Sequence, residues 1–219
     1  YLYSSDGRVF LDFTSGIAVT NLGHCHPEII DTICNQSNEL MHASNLFYNK
    51  IQPQLAEQLV ECTGLENAKC FFCNSGAEAN EGMIKLARLW GSCSNKYEII
   101  TMKQSFHGRT LATLTATGQD KVKKGFGPLP KGFVYADYNN LDSVESLINS
   151  STVAVMIESI QGEGGVVPGD KKFFQELRKL CDKNNALLIF DEVQSGVART
   201  GKMWGYEYLG VEPDGFTLA

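Results

Sequence analysis

Ala186, Leu187, Leu188, Ile189 and Phe190 form an unbroken apolar run that leads directly into two acids, Asp191 and Glu192. A short run without alternation is what a strand buried on both faces requires, and such strands belong to parallel sheets covered by helices. A carboxylate at the end of a buried strand is costly unless something pairs with it. In open α/β sheets, ligands occupy the crevice beyond the carboxyl ends of the strands. Asp191 is therefore placed to meet a cationic group on a ligand. The alternative is a strand-end Asp that caps the next turn.

The rest of the chain fits that architecture. Strands are expected at 69–73, Glu98–Met102, Phe133–Ala136, 153–157 and 186–190, and helices at 76–90, 143–148 and 171–184. This alternation predicts an α/β fold with a mostly parallel central sheet and helices on both faces. Upstream, residues 1–13 read as a hairpin around the turn Ser4-Ser5-Asp6-Gly7. Pro27 opens a helix at its first turn, and a second helix, from about residue 54, stops at Gly64. The composition changes only near residue 50, which divides the chain into an N-terminal segment, 1–50, and a larger domain, 51–219. Phe216-Thr217-Leu218-Ala219 reads as the start of another buried strand.

Bulk properties exclude several classes. A net charge of −6 without any basic run argues against a nucleic-acid partner. No stretch approaches the ~18 apolar residues of a membrane span. Seven cysteines, an odd number scattered through the chain, suggest reduced thiols in a reducing compartment. The chain opens on Tyr1, so an organellar matrix stays open beside the cytoplasm.

Three further loops carry candidate chemistry. Asn74-Ser75-Gly76-Ala77-Glu78 joins a strand to a helix, where free N–H groups and the positive dipole end make an anion site. A capping box between Ser75 and Glu78 explains the same residues and is compatible with that role. Phe106 beside Arg109 can stack a planar ring and hold a carboxylate; a turn with an exposed Arg is the alternative. Glu158 to Gly165 carries two acids and three glycines, as a ligand-facing loop does, although an ordinary Gly-rich turn looks the same. His24-Cys25-His26 lacks the partners for a tetrahedral metal set, and the CxxC at Cys70 and Cys73 lies in an apolar run, so no metal is expected.

A phosphate cradle, an aromatic stacker, a carboxylate-binding Arg and an Asp for a ring nitrogen are the protein-supplied parts of a pyridoxal-phosphate enzyme. At these residues the chain resembles the class III, fold-type I pyridoxal-phosphate aminotransferases. The likeness runs through LGHCHP, NSGAEANE, FHGRT, ESIQGEGG and LLIFDEVQSGVARTG to PDGFTLA. Within the class it is similar to the branch that acts on acetylornithine.

The resemblance implies roles residue by residue. Ser75, Gly76 and Ala77 would bind the cofactor phosphate. Phe106 and Val193 would flank the pyridine ring, Asp191 would pair with its nitrogen, Gln194 would contact its hydroxyl, and Glu192 would belong to the same cofactor loop. Arg109 would hold the substrate α-carboxylate, Glu163 would act as a gate, and Glu158 would orient its neighbours. Ile17, where ornithine-specific relatives carry Tyr, points to the acetylornithine or 4-aminobutyrate branch, and its SGIAV context to the former. Ser159 and Ser195 stand where many relatives have Pro and Thr.

The implied activity is ping-pong transfer of the terminal amino group of N2-acetylornithine to 2-oxoglutarate, as in arginine biosynthesis. A homodimer with interfacial sites is implied too, with Asn45 serving the partner's site. Residues 1–50 would contribute part of a smaller domain, and a C-terminal domain would be absent from this chain. The Schiff-base lysine would directly follow Ala219. Another ω-aminotransferase, a pyridoxal-phosphate aminomutase and an inactive phosphate-ligand-binding fragment are the alternatives.

Overall fold

The structure, a computed structural model, describes residues 1–219 and divides into two compact units, Tyr1–Cys70 and Phe71–Ala219. In the first unit, β1 (Leu2–Tyr3) and β2 (Val9–Phe10) form the expected antiparallel hairpin. A short turn of helix, α1 (Ser15–Ala18), follows. Helix α2 (Pro27–Glu39) begins on Pro27, whose missing N–H is harmless at that position. Helix α3 (Ile51–Thr63) ends at Gly64, which adopts the left-handed conformation (φ 66°) that favours glycine at a helix C-terminus. No residue of this unit is buried.

The second unit holds, in chain order, α4 (Gly76–Gly91), β3 (Glu98–Met102), α5 (Leu111–Ala116), α6 (Asp120–Lys123), β4 (Phe133–Ala136), α7 (Leu141–Glu145), β5 (Thr152–Glu158), β6 (Ile160–Gln161), β7 (Val167–Pro168), α8 (Lys171–Lys183), β8 (Leu187–Asp191) and β9 (Gly215–Thr217). The sheet is five-stranded and parallel, in the order β4-β3-β5-β8-β9. Strand β5 is buried along its whole length, which is why its sequence shows no alternation.

The two-residue period of the strands sorts their side chains between two helical layers. Ala154, Met156 and Ile189 pack with Ile84 and Ala87 of α4 on one face. Phe190, one residue on, stacks on Phe174 of α8 across the other, with ring centroids 5.4 Å apart. The expectation of helices on both faces is therefore met.

Three boundaries differ from expectation. Residues 69–73 form no strand, and Phe71 is exposed. An apolar run becomes a strand only by pairing, and no strand of the sheet pairs with these residues. Helix α7 starts ahead of the expected 143–148 because the Asn140 side chain accepts the Ser143 N–H and caps it. The β6–β7 hairpin, within the Gly-rich loop, was not anticipated. No helix is long and apolar enough to cross a membrane.

Candidate active site

The parallel sheet brings the carboxyl ends of its strands to one side, where a cleft is lined by Gly76, Ala77, Phe106, Glu158, Asp191 and Gln194, with Val193 beside them. Asp191 is the last residue of β8 and is buried. Its Oδ2 accepts from His107 Nδ1 at 2.7 Å and from Asn80 Nδ2 at 2.8 Å, and its Oδ1 accepts from the Val193 N–H at 3.1 Å. The donor at His107 Nδ1 follows from the acceptor it faces. His107 is fully buried, and its Nε2 has no partner.

At the other side of the cleft stands the first turn of α4. Ser75 is its N-cap, and the Ser75 hydroxyl oxygen accepts the Glu78 N–H. The Glu78 carboxylate reaches the Asn74 N–H at 2.6 Å, one residue before the position a capping box requires. The N–H groups of Gly76 and Ala77 have no carbonyl partner within the helix, as at every helix start. They carry the positive end of its dipole into the cleft. Gly76 is required there, since a Cβ would stand 2.8 Å from Val193 Cγ1. Gly108 (φ +130°) brings the Phe106 loop just as close, because a Cβ on it would meet Ala77 Cβ at 3.0 Å.

Glu158 closes the floor. It ends β5, pairs in register with Asp191, and its Oε2 accepts the Phe106 N–H at 3.3 Å. Burial, opposed by His107 and aided by the Asp191 charge, pushes its pKa up to about 8. The native protein then keeps this proton while the unfolded chain, with the usual value of 4.5, loses it. Over that window the unfolded state binds fewer protons, so the Glu158 contribution makes stability fall as pH rises from 4.5 to about 8. Glu158→Gln removes that fall. In urea unfolding at pH 5 and pH 8, the variant should gain on the parent by up to a few kcal/mol. Parallel pH profiles for the two proteins would remove Glu158 from this role.

The remaining expected site residues divide. Arg109 is exposed, with its guanidinium carbon 5.9 Å from the Phe106 ring centroid. Glu163 is exposed in the turn between β6 and β7. Glu192 does not line the cleft: its carboxylate accepts the Gly205 N–H at 2.7 Å and the Tyr206 N–H at 3.1 Å, and the Ser159 and Ser195 hydroxyls bond to it. It ties the end of β8 to the turn at 205–208, and burial raises its pKa. Ser159 and Ser195, the two departures from the family pattern, meet each other at 2.9 Å beside that carboxylate. Ile17 and Asn45 lie in the first unit, both exposed, with Ile17 at φ 63°.

Sequence reasoning gave no role to His107, Asn80 or Thr217. The signal for Asn80 was present: it is the one polar member of the buried stripe Asn80, Ile84, Ala87, Gly91 on α4.

Comparison with known proteins places this geometry. The family described as Aminotransferase class-III matches residues 1–219. The chain is 52% identical over 222 residues to an acetylornithine aminotransferase of Gloeobacter violaceus, covering all of this chain and 55% of that protein. The crystal structure of an N-acetylornithine aminotransferase from Stenotrophomonas maltophilia superimposes with a TM-score of 0.84 at 39% identity, over 99% of this chain and 55% of that one. An ornithine aminotransferase from Toxoplasma gondii, whose active site holds pyridoxal phosphate at partial occupancy, gives 0.92 at 30% identity over 99% of this chain and 52% of that one. The chain thus spans about half the length of the relatives it matches.

Proposed function

This chain belongs to the class III aminotransferases, a pyridoxal-phosphate-dependent family, and from that premise we propose that the protein binds pyridoxal phosphate in the cleft and transfers the terminal amino group of N2-acetylornithine to 2-oxoglutarate. The observation that carries the reading is the pairing of two opposite ends in one cleft, the buried Asp191 carboxylate and the amide-bearing start of α4.

The cleft suits the cofactor. Gly76 and Ala77 offer N–H groups to a phosphate, and Ser75, whose oxygen already accepts from Glu78, keeps its O–H to donate. Phe106 and Val193 supply apolar surface for the two faces of a ring. Asp191 supplies the anion for a protonated ring nitrogen, and Gln194 an amide for the ring hydroxyl. When bound, pyridoxal phosphate supplies the electron sink for moving an amino group from one carbon to another. The chain's own part is to hold the group, keep a negative charge at its nitrogen and orient the substrate through Arg109, whose planar fork suits a carboxylate. Glu163, on its exposed turn, gates access, and Glu158 orients the Phe106 loop.

The reading extends to a cytoplasmic homodimer with Asn45 contributing to the partner's site. All seven cysteines are free, as a reducing compartment favours. The first unit exposes Met41, Leu46, Phe47 and Tyr48, the kind of apolar surface that partners cover.

A panel of ω-amine donors with 2-oxoglutarate as acceptor tests the substrate. An apolar Ile17 offers nothing to a free α-ammonium, so ornithine should be poorer than N2-acetylornithine by about tenfold or more in kcat/KM. Equal or better use of ornithine would move the protein to the neighbouring branch.

A further inference from the structure

Asn80 stands on the buried stripe of α4, where a side-chain amide is costly unless its polar atoms are paired. All of them are. Its Oδ1 accepts from the Thr217 hydroxyl at 2.7 Å. Its two N–H bonds go to the His107 carbonyl and to Asp191 Oδ2, each at 2.8 Å. The opposite amide orientation would set Oδ1 against two acceptors, so the network admits one orientation. Two of the three donors on Asp191 thus come from side chains, Asn80 and His107, and the third is the Val193 N–H on the other oxygen. Donors at both oxygens prevent the carboxylate from turning about its last bond.

We infer that Asn80, itself oriented by Thr217, is a positioning residue that fixes the Asp191 carboxylate for its cationic partner; the inference rests on the reading of Asp191 as the partner of the cofactor ring nitrogen. His107 alone leaves Oδ2 held by a single hydrogen bond. Asn80 ties the same oxygen to α4, whose first turn faces the phosphate. One helix therefore sets both ends of the cleft, and the spacing between the anion and the amide cradle is built into α4 from Gly76 to Asn80.

A double-mutant cycle on the purified protein tests this, with two readouts: the dissociation constant of pyridoxal phosphate, followed by absorbance titration, and kcat with N2-acetylornithine. Asn80→Ala should weaken cofactor binding and lower kcat by about tenfold each, with the KM for the amino donor little changed. On an Asp191→Asn background the same substitution should cost nothing further, because the carboxylate it positions is gone. An equal loss in both backgrounds would mean that Asn80 only supports the fold, and would overturn the inference. If neither Asp191→Asn nor Asn80→Ala alters cofactor binding, the reading of Asp191 itself fails. Should Asn80→Ala not fold, Thr217→Val carries the same cycle, since it removes the hydroxyl that donates to Asn80 Oδ1. Thr217→Ser, which keeps the hydroxyl, should recover most of that loss, and failure to do so counts against the proposal.

Discussion

Asp191→Asn is expected to lower kcat/KM by two to three orders of magnitude, roughly 3 to 4 kcal/mol of transition-state stabilisation. The replacement keeps the shape and removes the charge. It also breaks the local pattern of donors. If the Asn oxygen takes the bonds from His107 and Asn80, its NH2 faces the Val193 N–H; if it turns over, its NH2 faces His107 and Asn80. Either way donors meet donors, and about 1–3 kcal/mol of stability goes with the activity. Steady-state rates together with urea unfolding separate the two effects. A variant that turns over within a few-fold of the parent would dismiss Asp191 from the chemistry.

Phe174→Ala should be the most destabilising single truncation in the aromatic layer, at about 3–5 kcal/mol. The ring is fully buried, stacks on Phe190 and meets Phe173 and Tyr138 edge-on at 5.2 Å and 6.2 Å. Gly169 packs against the ring from the outside, where a Cβ would stand 2.3 Å from Phe174 Cε2. The loss should reach the cleft. Phe190 precedes Asp191, and the Tyr138 hydroxyl donates to the Glu158 carbonyl at 2.9 Å. A cost below about 2 kcal/mol in equilibrium unfolding would mean that the layer repacks.

What could be read from the sequence follows from how local each signal is. Parallel strands at 98–102, 152–158 and 187–191 declare themselves because burial on both faces leaves an apolar run that needs no partner to be recognised. Residues 69–73 carry the same kind of run without the partner, and composition cannot tell the two apart. Gly76, Ala77 and Phe106 were legible as loop chemistry and Gln194 through the family resemblance; all four line the cleft. Glu192 was read together with Asp191 because the two are adjacent, yet the alternation of an extended chain sends successive side chains to opposite sides, so only one of the pair lines the cleft. Short α5 escaped notice because its stability comes from the Thr110 and Thr113 side chains capping each other, which no apolar period reports.

The order of the strands has a temporal consequence. Asn80 and Thr217, joined through one hydrogen bond, are 137 positions apart. A ribosome adding about 5–20 residues per second needs roughly 7–27 s to travel from one to the other. During that interval the rest of α4 and the inner strands β3, β5 and β8 are made, and β9, at the sheet's edge, comes only at its close. Until β9 arrives, Asn80 Oδ1 lacks the Thr217 hydroxyl. The nascent protein therefore passes through a period in which its inner strands are present while its anionic centre still lacks one support.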